Sequence, residues 1–149
     1  MGTNQVVVTP FPSTGHINPL LNLCHLLSSR SGLTVVVTEE WHRIFGSDSK
    51  PDYIQFATIP NNVIPSEPEP SNNRDNIDFF LSVESEMETQ FNRLLDTMAV
   101  KFIIADLSLG QKTFDLSKIR NIPVAAYWPP RLSFCVLCYL MIVHYIQTI

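Results

Sequence analysis

Short apolar runs rich in β-branched residues alternate along this chain with longer stretches in which apolar residues recur every three or four positions. The first kind of run predicts buried strands and the second amphipathic helices. Residues 5–9 (QVVVT) read as a first strand. Residues 19–30 read as a helix, with Asn18 as N-cap, Pro19 at the first helical position and Gly32 just beyond the end. Its apolar face is Leu20, Leu23, Cys24 and Leu27. Residues 33–38 (LTVVVT) form a continuous apolar run, so the second strand is expected to be covered on both faces. A short helix over 41–45 and a third strand over 53–59 (YIQFATI) follow. The proline- and asparagine-rich stretch 60–76 predicts a surface loop. Over 77–98, Ile77, Phe80, Leu81, Met87, Phe91, Leu94, Leu95 and Met98 trace the apolar stripe of a long helix whose other surface carries Glu84, Glu86 and Glu88. Residues 101–106 (KFIIAD) and 122–128 (IPVAAYW) supply a fourth and a fifth strand. The crossover between them, 107–120, reads as a poor helix because Gly110, Thr113, Asp115 and Ser117 interrupt it.

The alternation points to an α/β fold class, a Rossmann-like, doubly wound parallel sheet. In such a sheet the strand order 3-2-1-4-5 sets the first and fourth strands side by side, and the loops after both open into one crevice. His16, in the loop after the first strand, and Asp106, at the end of the fourth, then become neighbours. A carboxylate on one ring nitrogen fixes the imidazole tautomer, and the other nitrogen can take a proton from a hydroxyl. The plainer alternative is a loop histidine bonded to backbone and an aspartate that caps the next helix.

Composition narrows the classes of function. With 149 residues, 45% apolar and 16% charged, the chain has the makings of one core, and no repeat or second domain is visible. A net charge of -4 with scattered Lys and Arg offers no basic stripe, so no nucleic-acid partner is expected. Residues 1–5 lack the positive charge and long apolar core of a signal peptide, and Val6 stands where a myristoylation motif needs Ser or Thr. Three cysteines, an odd number, fit reduced thiols in a cytoplasmic protein, and the isolated Cys135-x-x-Cys138 lacks the further ligands of a zinc site. The apolar run 132–149 just reaches the ~18 residues of a membrane span. Because it includes Ser133, His144 and Gln147, it reads as a helix buried under protein and a membrane partner is not expected. Gly15 alone cannot make G-x-G-x-x-G, and neither G-K-[ST] nor G-x-S-x-G occurs, which removes direct dinucleotide binding, P-loop chemistry and a hydrolase nucleophile elbow.

The strings PFPSTGHINPLLNLCHLL, LTVVVTEEW, FATIPNNVIPSE, FIIAD and RNIPVAAYW, in this order and spacing, resemble the N-terminal half of plant UDP-dependent glycosyltransferases that act on small molecules. The resemblance implies a GT-B enzyme of two facing Rossmann-like domains, of which residues 1–149 are part of the acceptor-binding one and the UDP-sugar-binding domain is absent. It implies His16 as the base that deprotonates an acceptor hydroxyl and Asp106 as its partner. Ser13, Thr14, Gly15 and Trp128 would line the substrate site. The reaction would be an inverting transfer, with glucose the expected sugar, from a UDP-sugar to a small hydrophobic alcohol or phenol, with no metal and no cofactor. Two departures stand out within the chain. Pro129 takes the place of a donor-holding threonine in F-W-T-[TS], and LSLGQKTFDLSKI differs from the apolar, small-residue crossover of relatives. With the H-C-G-W-N-S donor signature also missing, the chain alone is expected to be inactive. A non-catalytic half-enzyme that binds a small molecule, or a truncated product, is the alternative.

Overall fold

The computed structural model describes residues 5–27, 32–45, 54–60 and 73–128. Strands β1 (Gln5–Thr9), β2 (Gly32–Thr38), β3 (Ile54–Ile59), β4 (Val100–Asp106) and β5 (Val124–Tyr127) make one sheet. Every pairing is parallel, and the order is β3-β2-β1-β4-β5. The helices are α1 (Thr14–Leu27), α2 (Glu39–Phe45), α3 (Asn73–Leu95) and α4 (Gly110–Ile119), with a 3₁₀ turn at Leu107–Leu109 leading into α4. The strand order is the one that makes neighbours of the ends of β1 and β4.

Alternation along the strands splits the core in two. Val7, Val36, Ile103 and Ala105 face a cluster closed by Val83, Met87, Phe91 and Leu95 of α3 with Leu109 and Leu116. Val8, Val35, Val37, Ile54 and Ile104 face Leu20 and Cys24 of α1. β2 is buried from Leu33 through Thr38, as a largely β-branched run between two layers should be, with Thr34 and Thr38 buried among the apolar residues. On α3 the buried stripe is Val83, Met87, Phe91 and Leu95, spaced by four. Leu81, counted on the apolar face by its sequence spacing, is 56% exposed. It sits two residues before Val83, which turns it about 200° around the helix, away from the stripe.

Two local expectations are corrected, the start of α1 and the place of Gly32, while the expected crossover helix forms. α1 starts at Thr14 rather than at Pro19, because the Ser13 carbonyl accepts from the N–H groups of His16 (3.1 Å) and Ile17 (2.9 Å) and opens the helix there. Pro19 then lies inside the helix, where its ring removes the bond that would close onto the Gly15 carbonyl. Gly15 and Asn18 beside it are exposed, so that carbonyl lies where water can reach it. His16 is therefore a first-turn helical residue and not a loop residue, and Gly15 lies in the same turn. Gly32, expected as a helix stop, opens β2. The crossover after β4 is helical despite its hydroxyls: Thr113 and Ser117 point into the core, where the Ser117 hydroxyl donates to the Thr113 carbonyl at 3.0 Å. α4 ends in a Schellman closure, Asn121 N–H to Lys118 and Ile122 N–H to Ser117, with Asn121 at φ 53°. Arg120 ties that end to α3, donating to the side chain and carbonyl of Asn92 and to Asp96 Oδ1 at 2.7 Å.

The readings for 61–72 and 132–149, including Cys135 and Cys138, lie outside the described residues, and so does Pro129. Among the described residues no helix is long and apolar enough to cross a membrane.

Candidate functional site

At the carboxyl end of the sheet Thr9 pairs with Ala105, and Asp106 with Tyr127, so β1, β4 and β5 finish together. The chain leaves β1 through Pro10 and Phe11 and bends at Ser13, whose N–H donates to the Phe11 carbonyl at 2.8 Å. One short turn later α1 begins, which sets His16 directly above the end of β4. There His16 Nδ1 lies 2.8 Å from Asp106 Oδ2, joining side chains 90 residues apart.

Asp106 is fully buried and its two oxygens are divided between two tasks. Oδ1 accepts the Ser108 N–H at 2.9 Å and so caps the 3₁₀ turn. Oδ2 accepts the Phe11 N–H at 3.2 Å together with the His16 ring. Both sequence readings of Asp106, helix cap and histidine partner, are thus realised by one side chain. An accepting carboxylate favours hydrogen on Nδ1, and in a neutral ring that leaves the lone pair on Nε2. The His16 side chain is 25% exposed, so this pair joins a buried anion to a ring that solvent or a ligand can reach. Chemically the arrangement suits proton abstraction from a hydroxyl, with the resulting imidazolium held against a fixed anion.

The remaining candidates are distributed around this pair. Ser13 is half-buried and acts through its main chain at the start of α1. Thr14 is the first residue of α1. Gly15 is exposed, and among the described residues a Cβ built on it would meet no atom within 4 Å, so none of them fills the space at the helix start next to His16. Trp128 is 38% exposed just after β5, at the same end of the sheet. A cavity of about 350 Å³ lies elsewhere, on the α1 face over β4 and β5, lined by Leu23, Leu27, Phe102, Ala125 and Tyr127 among others. Among the described residues no group of three or more His, Cys, Asp or Glu side chains could hold a metal ion. The capping reading of Asp106 already implied a main-chain donor in the following turn, met by Ser108, whereas sequence reasoning missed the N–H of Phe11, which nothing in a residue type marks.

Comparison with known proteins adds an independent line. No family model matches the chain. It is similar to UDP-glycosyltransferase 87A1 of Arabidopsis thaliana, 44% identical over 130 residues, which covers 80% of this chain and 27% of that protein. UDP-glycosyltransferase 87A2 of the same plant is 40% identical over 136 residues, covering 83% and 28%. The chain therefore spans a little over a quarter of the length of these curated relatives. Its fold matches that of Arabidopsis thaliana UGT89C1 solved in complex with UDP-L-rhamnose, with a TM-score of 0.62 and 19% identity over 83% of this chain and 35% of that one. The same protein has also been solved with quercetin. The sequence relatives and the shared sheet together show that this chain belongs to the plant UDP-glycosyltransferase family and forms part of the amino-terminal, Rossmann-like domain of its GT-B fold.

Proposed function

We propose that this chain carries the acceptor-activating part of an inverting glycosyl transfer. His16 Nε2 takes the proton of a small hydrophobic alcohol or phenol, Asp106 holds the ring in the Nδ1–H form and stabilises the imidazolium, and the acceptor oxygen displaces UDP from the anomeric carbon of the donor. Glucose is the sugar we assign. The observation that carries this reading is the 2.8 Å contact of His16 with a fully buried carboxylate. Further support comes from the space beside Gly15, clear of the described residues, and from the exposed Trp128 at the same sheet end, which we read as bordering an acceptor. The quercetin complex of the structural neighbour UGT89C1 makes a phenol the natural first probe. Donor binding is assigned to a second domain outside residues 1–149. Residues 1–149 by themselves are then catalytically silent, because a base without a positioned donor loses the advantage of orientation. The cytoplasm is the compartment proposed, in keeping with the free buried thiol of Cys24.

The test joins residues 1–149 to the remaining, donor-binding part of UDP-glycosyltransferase 87A1 and screens UDP-glucose against small phenols and alcohols. Turnover is expected from the fusion and not from the 149-residue chain. His16→Ala should lower kcat by at least about a hundredfold, the low end for a lost general base. A fusion whose turnover ignores His16→Ala removes the proposed role of this residue, and turnover by the chain alone removes the claim of silence.

A further inference from the structure

We propose that Phe11 is the positioning residue of the His16–Asp106 pair. This deepens the transfer reading above, on which it rests. Phe11 is 3% exposed, and its side chain belongs to the core cluster of Val7, Val36, Phe91 and Leu109. The same ring lies against the imidazole of His16, with centroids 5.4 Å apart and planes tilted by 54°, within the range of favourable aromatic contacts. Its main chain is engaged at both ends. The N–H donates to Asp106 Oδ2, the oxygen that also meets His16, and the carbonyl accepts from Ser13, whose own carbonyl opens α1.

A single buried wedge thus controls both members of the pair. Sunk in the core, the side chain holds the 10–13 segment at one height above the sheet. That height fixes the N–H pointing at the carboxylate and the start of the helix that bears the imidazole. Lying against the imidazole, the ring also limits its rotation off Asp106. Without the ring, His16 gains freedom to turn, and the preference for hydrogen on Nδ1 weakens even though the carboxylate is still present. Phe11 acts only through His16 and Asp106 and touches neither acceptor nor donor in this role.

The test reads the tautomer rather than sugar transfer. The full chain, labelled with ¹⁵N-histidine, is studied by NMR at alkaline pH, with the His16 signals assigned by their loss in His16→Gln. The unaltered protein should show Nδ1 protonated and Nε2 unprotonated, with a slowly exchanging Nδ1 proton. Phe11→Leu, and Phe11→Met, whose flexible side chain refills part of the space, should shift the ring nitrogens toward a tautomer mixture and speed exchange of that proton about three- to tenfold, as loss of one aromatic contact allows. Phe91→Leu, a truncation on α3 in the same core cluster, should leave the His16 signals in place while lowering the melting temperature. Unchanged tautomer and exchange in both Phe11 variants overturn the inference, and so does an equal change in Phe91→Leu, which would mean general loosening. Because no turnover is measured, a fusion without transferase activity leaves this result standing, and an active fusion with an unmoved tautomer removes Phe11 alone.

Discussion

Replacing Asp106 by alanine should cost far more than one surface carboxylate would. The side chain is wholly buried and accepts from the Phe11 N–H at 3.2 Å, the Ser108 N–H at 2.9 Å and His16 Nδ1 at 2.8 Å. Stranding the buried Phe11 N–H costs about 1–3 kcal/mol, and the bond from the His16 ring contributes about 1 kcal/mol net. Loss of the cap on the 3₁₀ turn adds about 1 kcal/mol, since Ser108 sits where water can replace the lost partner only in part. The sum is about 4 kcal/mol, against a total stability of about 5–15 kcal/mol for a domain. At about 3 °C per kcal/mol for a chain of this size, the midpoint of a thermal melt followed by circular dichroism should fall by roughly 10 °C or more. Asp106→Asn retains one acceptor oxygen but turns an NH₂ toward the other donors, so it should lie about halfway between. An alanine variant that melts within about 2 °C of the parent would refute the claim that the carboxylate holds three donors at once.

Three further outcomes follow from single features. The Thr9 hydroxyl is buried with no hydrogen-bond partner, alone in this among the described side chains, so Thr9→Val should raise the unfolding free energy by about 1 kcal/mol in a denaturant titration, and a loss would mean the hydroxyl has a partner. Asn121 closes α4 at positive φ, so Asn121→Gly should be neutral or stabilising by up to about 1 kcal/mol, while the β-branched Asn121→Val should destabilise by about 1–2 kcal/mol in the same assay; the reverse order would contradict the closure. Burial pushes the Cys24 thiol from 9.0 up to about 11. In a Cys135→Ser, Cys138→Ser background, alkylation at pH 8 should therefore run roughly a hundredfold below that of an ordinary thiol of similar access. The folded thiol keeps its proton where the unfolded one loses it, so Cys24 makes stability fall as pH rises from 9.0 toward about 11, and a melting midpoint that rises over this window would contradict the burial.

The sheet was legible because parallel strands buried on both faces must be apolar throughout: VVV in β1, LTVVV in β2 and FIIA in β4 leave no alternative period. Strand order made a meeting of His16 with Asp106 possible, since the topology fixes which strand ends adjoin, but it left open a histidine bonded to backbone instead. What failed was local. Asn18-Pro19 carries a strong start signal, yet the core position of Ile17, one residue before it and 1% exposed, requires helix already in the preceding turn. Burial of an apolar side chain outweighed a cap, as tertiary packing commonly outweighs propensity. The poor appearance of 107–120 had the same origin, because Thr113 and Ser117 lower helix propensity yet are buried, and packing decides there.

The pairing of β1 with β4 also has a kinetic meaning. All of α1, β2, α2, β3 and α3 lies between those two strands, so their register can form only after the largest loop closure in the described sheet. The His16–Asp106 contact spans 90 residues and sits at the far end of that ladder. It belongs among the last native contacts to appear during refolding, because closure entropy is lost before such a contact can repay it. Any chain in which the imidazole and carboxylate are joined has therefore already assembled its central sheet, which makes that one contact a probe of the whole folding reaction.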